Sequence, residues 1–442
     1  MTSRFFLFRN STKHLAQLFL LLVCTGFSAA VTDQPTVTDL EADLLSLPEA
    51  GSLFAKNNLE LIADRLKIRV AEAQRVQAEL WQNPNLQIGQ NIYNPDTKKY
   101  FDVTKTGNTD IAITQTLRLG GKRSSEIKIA DIDLEISKTL ISEALRVLHH
   151  ELRVSFYRLY FQQKMLRFYD RSIESLRNTA KLTEKSYANR SILLTEVLRV
   201  KAILTGLLDQ RMDLVADMAQ SKTRLASLIW GRDISKHQNI VPTLDEAQIE
   251  ALQLPLSLSD ALEAARRYRA DVKIQQLGYN KEQIKTRLEE ANAIPDLSVG
   301  LQYSRAGSYI PEYYAVTFGI DLPVFNRNQG RVAAQKYTAQ ASAVEREKAD
   351  VDLQSTVTGL YQTAMSFDQA FRDIDRSFIK DYEKLAEQTV ANYQKRNISV
   401  IAFADFYESY QETLVRLNEI QMKRLNAFED LNQAIGKIVV GI

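Results

Sequence analysis

The stretch that decides the fold is "QTLRLGGKRSSEIKIA", residues 115–130, where strand-like alternation stops at two glycines and helical periodicity takes over with no proline for more than sixty residues. The same change of period recurs in "GIDLPVFNRNQGRVAAQKY", residues 319–337. A chain that makes one unusual junction twice invites a search for an internal repeat. "NNLELIADRLKIRVAEAQRVQAELWQNPNLQIGQNIY" (from Asn57) aligns with "YRADVKIQQLGYNKEQIKTRLEEANAIPDLSVGLQYS" (from Tyr268), each an amphipathic helix that ends at a proline, Pro84 or Pro295, ahead of an alternating strand. Further on, "SYANRSILLTEVLRVKAIL" (from Ser186) aligns with "NYQKRNISVIAFADFYESY" (from Asn392). The sequence therefore predicts a first repeat over residues 31–240, a linker at 241–257 and a second repeat over 258–442.

Residues 1–30 read as a secretory signal peptide. Arg4, Arg9 and Lys13 precede an apolar run, and Ser28 and Ala30 form a small-residue cleavage site. Cys24 follows Val23, which argues against lipid anchoring, and its loss with the leader would leave a mature chain without cysteine. Cleavage removes three cations and no acid from the 56 Lys+Arg and 54 Asp+Glu, so the mature chain is close to neutral and gives no electrostatic reason to bind nucleic acid. With no later run of apolar residues long enough for a transmembrane helix, an exported chain that enters a membrane must do so with strands.

Four strands are predicted, over about 86–94, 109–119, 297–305 and 313–324. In each, aliphatic residues alternate with small or uncharged polar ones, as in Leu297, Val299, Leu301 and Tyr303 against Ser298, Gly300, Gln302 and Ser304. Tyr93, Tyr303, Tyr309, Tyr313 and Tyr314 gather near the hairpin ends. Two readings fit: a half-buried strand of a soluble sheet, or a barrel strand with lipid on one side and a water-filled lumen on the other. The export signal and the long helices favour the second. Four strands cannot enclose a lumen, so several chains must share one barrel, and three would supply twelve strands.

The helices carry a coiled-coil pattern. Over residues 124–187, Ile141, Leu145, Leu148, Leu152, Phe156, Leu159, Leu166, Ile173, Leu176 and Ala180 recur at spacings of three and four or their sum. Such a helix would extend roughly 95 Å at about 1.5 Å per residue. The helix pairs turn at "YANRSI" and "YQKRNI", where Asn189 and Asn397 best tolerate the left-handed conformation expected after a helix. Glu196 and Asp405 follow on the returning helices. They read either as solvated ends or, in a narrowing tube of several copies, as acidic rings that filter cations.

Enzymatic chemistry is not in view. "LGGKRSS" lacks the upstream glycine of a phosphate loop and reads as a hinge built on Gly120 and Gly121, with Pro323 and Gly330 as its counterparts in the second repeat. His149 and His150 are adjacent and point about 100° apart on a helix, a poor chelating pair, His237 stands alone, and no cofactor or metal site is expected.

The motifs "NPNLQIG", "ITQTLRLGGKR", "YRADVKIQQLGYNKEQI", "IPDLSVGLQYS" and "IDLPVFNRNQGRV", with the two turns, resemble the TolC-like outer-membrane efflux proteins, and more narrowly their cobalt-zinc-cadmium branch. The resemblance implies a mainly α protein with a transmembrane β-barrel. It would be a homotrimer in the outer membrane of a Gram-negative bacterium, with twelve barrel strands, four per chain, continued by a helical tube through the periplasm. It further implies a passive exit channel, docked through its turns on a periplasmic adaptor (a membrane fusion protein) and an inner-membrane pump of the resistance-nodulation-division type. Asn189, Arg190, Ser191, Arg396 and Asn397 would face the adaptor, and Glu196 and Asp405 would lie near the aperture. Arg190 and Arg396 stand where that family usually has glycine, and Ala402 replaces another of its aperture acids. Drug efflux, type I secretion and a non-channel coiled-coil scaffold with a soluble strand collar remain alternatives on the sequence.

Overall fold

The computed structural model describes residues 43–236, 239–306 and 310–441. The expected leader, with Cys24 and His14, lies outside them, as do His237 and Tyr309. The chain opens with β1 (Asp43–Ser46), α1 (Leu47–Asn57) and α2 (Leu59–Glu79), and the Asn58 side chain caps α2 by accepting from the amides of Glu60 and Leu61. Strand β2 (Asn85–Gln90), the short β3 (Tyr93–Asn94) and β4 (Lys99–Tyr100), and β5 (Thr109–Leu117) lead into α3 (Lys122–Ala188), 67 residues without a break. That is about 100 Å of helix at roughly 1.5 Å per residue. Helix α4 (Leu194–Trp230) returns, and β6 (Ile240–Thr243) and α5 (Glu246–Ala251) join the halves. The second repeat runs through α6 (Leu258–Tyr268), α7 (Ala270–Asn292), β7 (Leu297–Ala306), β8 (Pro311–Ile320), α8 (Gln329–Arg372), α9 (Arg376–Gln394) and α10 (Val400–Ile435).

The four long strands form one antiparallel sheet in the order β2-β5-β7-β8. Its register lines up the aliphatic positions across all four strands. Leu86, Ile113, Leu301 and Val316 make one row, and Ile88, Ile111, Tyr303 and Tyr314 the next. The intervening rows are Gln87, Ala112, Gln302, Ala315 and Asn85, Thr114, Gly300, Thr317. Because side chains alternate, one face is hydrocarbon and the other is small and polar. Among the described residues nothing covers the hydrocarbon face: Leu301 is 60% exposed and Phe318 72%. A soluble sheet buries such a face under a second layer, and this single chain supplies none from its described residues.

Beyond the sheet the wall continues in helices of matching order, with α2 beside α3, α3 beside α7 and α7 beside α8. Each helix is the covalent extension of one strand, so the strand order sets the helix order.

In α3, Leu148, Leu152, Phe156, Leu159, Ile173, Leu176 and Ala180 are buried as the spacing predicts, and Leu145 and Leu166 pack at the edge of the core. Around residues 156–161 the helix is buried on several sides, with Phe156, Tyr157, Leu159, Tyr160 and Phe161 all inside. The segment expected as a linker is structured. Strand β6 pairs in parallel with β1, and Ile249 of α5 enters the core. Nor does the second repeat copy the first in full, because its long helix breaks between Arg372 and Arg376, where the Asp375 carboxylate caps α9 by accepting from the Ser377 amide.

Candidate functional sites at the junctions, the turns and the sheet end

At the first junction Gly120 and Gly121 have φ of 70° and 78°, the left-handed region that favours glycine. A Cβ at Gly120 would come within 2.9 Å of the Ile294 side chain, so the strand-to-helix turn presses directly on the second repeat. Lys122, buried, locks this contact by donating to the Ile294 carbonyl and to Asp296, each at 2.7 Å, while Asp296 also accepts from the Leu119 amide. Burial alone would raise the Asp296 carboxyl, but the Lys122 ammonium and the Leu119 amide outweigh it and hold the group below its ordinary value.

The second junction solves the same problem with another residue. Gly330 lies inside α8, and the left-handed position is Asn328, at φ 58°. Its side-chain nitrogen donates to the Glu289 carbonyl oxygen at 2.7 Å, a bond glycine could not make. Pro323 sits in the irregular segment between β8 and α8.

The two turns share one geometry. The Arg190 amide donates to the Tyr187 carbonyl and Ser191 to Ser186, and likewise Arg396 to Tyr393 and Asn397 to Asn392, at 2.8–2.9 Å. This paired pattern is a Schellman motif whose left-handed residue is the arginine, at φ 57° for Arg190 and 62° for Arg396. The expectation that Asn189 and Asn397 take that conformation is corrected: Asn189 is the C-cap at φ −82°, and Asn397 follows the left-handed residue. Hydrogen bonding counts from the helix end, so position and not side-chain preference chooses the strained residue. Arg190→Gly and Arg396→Gly should each stabilise the protein by about 1 kcal/mol, whereas Asn189→Gly should cost roughly 0.5 kcal/mol, read as shifts in urea midpoint.

Between the turns lies a cleft of about 410 Å³ lined by Thr183, Ser191, Glu196, Tyr393, Arg396 and Asn397. Glu196 is half-buried there. Burial and then the Glu196 charge push the Tyr393 hydroxyl up to about 12. Asp405 is exposed and pairs with Arg199 at 3.2 Å. Arg199 was missed on the sequence, although a repeat offset of 206 makes it the equivalent of Asp405, as it makes Tyr187 the equivalent of Tyr393. The acids therefore occupy different settings, one inside a cleft and one in a surface ion pair.

At the sheet end away from the helices, residues 91–108 fold around the buried Asp102. Its carboxylate accepts from the Thr104 hydroxyl and amide and from Thr106, Thr97 and Asn94, which hold it far below the usual carboxylate range.

His149 packs edge-on against Phe54 and is pushed down by burial and by Arg153, while His150 bonds Asp430 at 2.6 Å. Among the described residues no three His, Cys, Asp or Glu side chains are placed to share a metal ion. No described helix is long and apolar enough to cross a membrane.

Residues 51–231 match the family model of the outer membrane efflux proteins. Over that segment the chain carries the signature of the outer membrane efflux proteins. The outer-membrane location of those proteins fits the uncovered hydrocarbon face of the sheet. A curated relative, the cobalt-zinc-cadmium resistance protein CzcC of Cupriavidus metallidurans, is 23% identical over 292 residues. That alignment covers 65% of this chain and 65% of the relative's length. Among solved structures, a membrane protein from Pseudomonas aeruginosa superposes with a TM-score of 0.73 at 14% identity, over 88% of this chain and 92% of its own. The outer-membrane channel OprN does so with a TM-score of 0.71 at 15% identity, over 88% and 89%. The fold of these solved structures is thus shared along nearly the whole described chain.

Proposed function

We propose that three copies of this chain close into one outer-membrane exit duct of a tripartite efflux pump, a passive conduit for cargo delivered by a periplasmic adaptor and an inner-membrane proton-driven pump. The observation that carries this reading is the pairing of a bare hydrocarbon face with two open sheet edges. Strands β2 and β8 are the outer strands of an antiparallel set of four and run in opposite directions. The β8 edge of one copy therefore meets the β2 edge of the next in antiparallel register, and twelve strands enclose a lumen. The same closure brings α8 against α2 of the neighbour. Both carry unpartnered apolar side chains, Tyr337, Val344 and Val351 on one and Leu66, Val70 and Val76 on the other. In this assembly the repeats are the units of the wall, and the turns with Asn189, Arg190, Ser191, Arg396 and Asn397 face the adaptor.

Divalent heavy-metal cations are the proposed cargo, on the strength of the likeness to the cobalt-zinc-cadmium resistance protein. Chemical crosslinking to trimers, with pore conductance in planar bilayers, tests the duct; monomers without conductance would end that reading. Growth of a deletion strain on zinc, cobalt or cadmium against growth on organic drugs tests the cargo. Sensitivity to drugs alone would replace metals with drug efflux.

The aperture acids supply a second test. An exposed ion pair is worth at most about 1 kcal/mol, so Asp405→Asn, which leaves Arg199 unbalanced, should lower cation-over-anion permeability by up to about fivefold, and Arg199→Gln should raise it. Reversal potentials under a salt gradient measure both. Two unchanged values would place the pair outside the conduction path.

A further inference from the structure

The end of the sheet away from the helices carries features that a conduit alone does not need. On the hydrocarbon face the Tyr303 and Tyr314 rings pair at 5.0 Å, and the next positions outward on β2, β5 and β7 are polar, Gln90, Thr109 and Arg305, with the acid Glu312 at the corresponding position of β8. Gln90, Thr109 and Arg305 lie in the same alternating register as the aliphatic rows, so their side chains leave the sheet on that face. Gln90 donates to the Asp102 carbonyl and accepts from the Thr109 hydroxyl, and Arg305 donates to the Val103 carbonyl. The loop of residues 91–108 is thus tied through its Asp102 and Val103 carbonyls to the hydrocarbon side of the sheet.

This loop is built to hold one shape. The Asp102 network organises its interior, and Gly107 is required because a Cβ there would lie 1.5 Å from the Asp102 carbonyl oxygen. Outside, Lys98, Lys99 and Lys105 are exposed and make no ion pair among the described residues, against a single exposed acid, Asp96. Tyr100, Phe101 and Val103 are exposed beside them, at 73%, 62% and 67%.

We propose that this loop is a docking surface for the phosphate-bearing headgroups of the outer leaflet, with the lysines meeting phosphate and Tyr100, Phe101 and Val103 entering the headgroup layer. The surface is continuous with the lipid-facing wall, and its charge is complementary to phosphate. It rests on the assignment of the hydrocarbon face to lipid in the proposed duct. Three copies would give a cationic collar around the exit.

The test uses the purified full-length protein in detergent, titrated with fluorescent bis-phosphorylated lipid A, with its dephosphorylated form, and with inorganic phosphate as competitor. The phosphorylated lipid should bind at least about tenfold more tightly, and the triple variant Lys98→Asn, Lys99→Gln, Lys105→Gln should lose that preference while bilayer conductance is kept. Arg305→Gln, which frees the Val103 carbonyl, should weaken binding with all three lysines present. Equal binding of both lipids, an undiminished triple variant, or full displacement by millimolar inorganic phosphate would overturn the proposal with conductance intact. A wild-type protein that binds but forms no pore would overturn the duct, and this inference with it.

Discussion

Leu301→Arg should abolish assembled channel. Leu301 sits in the middle of β7, flanked across the sheet by Ile113 and Val316, on the face that is bare in the single chain. An arginine at that depth in a bilayer costs about 2–4 kcal/mol, and every copy in the ring bears the cost. The expected outcome is loss of crosslinked trimers on gels and a large fall in urea midpoint in lipid vesicles. The neighbouring Gln302→Arg is the control. Gln302 pairs with Ala112 and Ala315 on the polar face, so its arginine meets water and should leave assembly intact while lowering cation conductance. If Gln302→Arg prevented assembly and Leu301→Arg did not, the sheet would be inside out.

Asp368→Ala should destabilise the helical body by about 3–5 kcal/mol. Arg424 is 1% exposed, lies over the rings of Phe371 and Phe428, and pairs with Asp368 at 2.8 Å. It also donates to the carbonyls of Ile249 and Leu252 at the C-terminal end of α5. Removing the carboxylate takes the 2.8 Å ion pair from a buried guanidinium, and breaking such a pair from one side costs more than replacing both partners. The double variant Asp368→Leu with Arg424→Met should therefore recover most of the loss, as a denaturation cycle would measure. Proteolysis should tell the two apart. The double variant still lacks the bonds to α5, so residues 244–256 should be cut faster than in the wild type even where global stability returns.

Much of the fold was legible. Alternation in residues 109–117 and 297–305 needs only neighbouring side chains to be read, and the register then makes four weak patterns into one face. The spacing in α3 foretold its buried stripe because a helix has one period and the chain never interrupts it. Strand ends were less legible. The strand expected over 86–94 stops at Gln90, and Tyr93 and Asn94 belong to a separate hairpin shaped by the Asp102 loop.

The candidate sites were legible as positions and not as partners. Glu196 and Asp405 look equivalent in a list of acids, yet one faces Tyr393 and the other Arg199. Gly330 looked like a hinge because glycine permits left-handed backbone, but permission is not requirement, and Asn328 fills the role with an added hydrogen bond to Glu289.

By itself the sequence determined the periods, the repeat and the two faces of the strands, since these depend on the order of side chains along the chain. Only the tertiary structure decided which strands are edges, which arginines are strained and which are paired, and that the inter-repeat segment is held by a buried arginine. Those outcomes depend on residues as far apart as Lys122 and Asp296 or Val103 and Arg305, and linear order does not say which distant groups folding will bring within hydrogen-bonding reach.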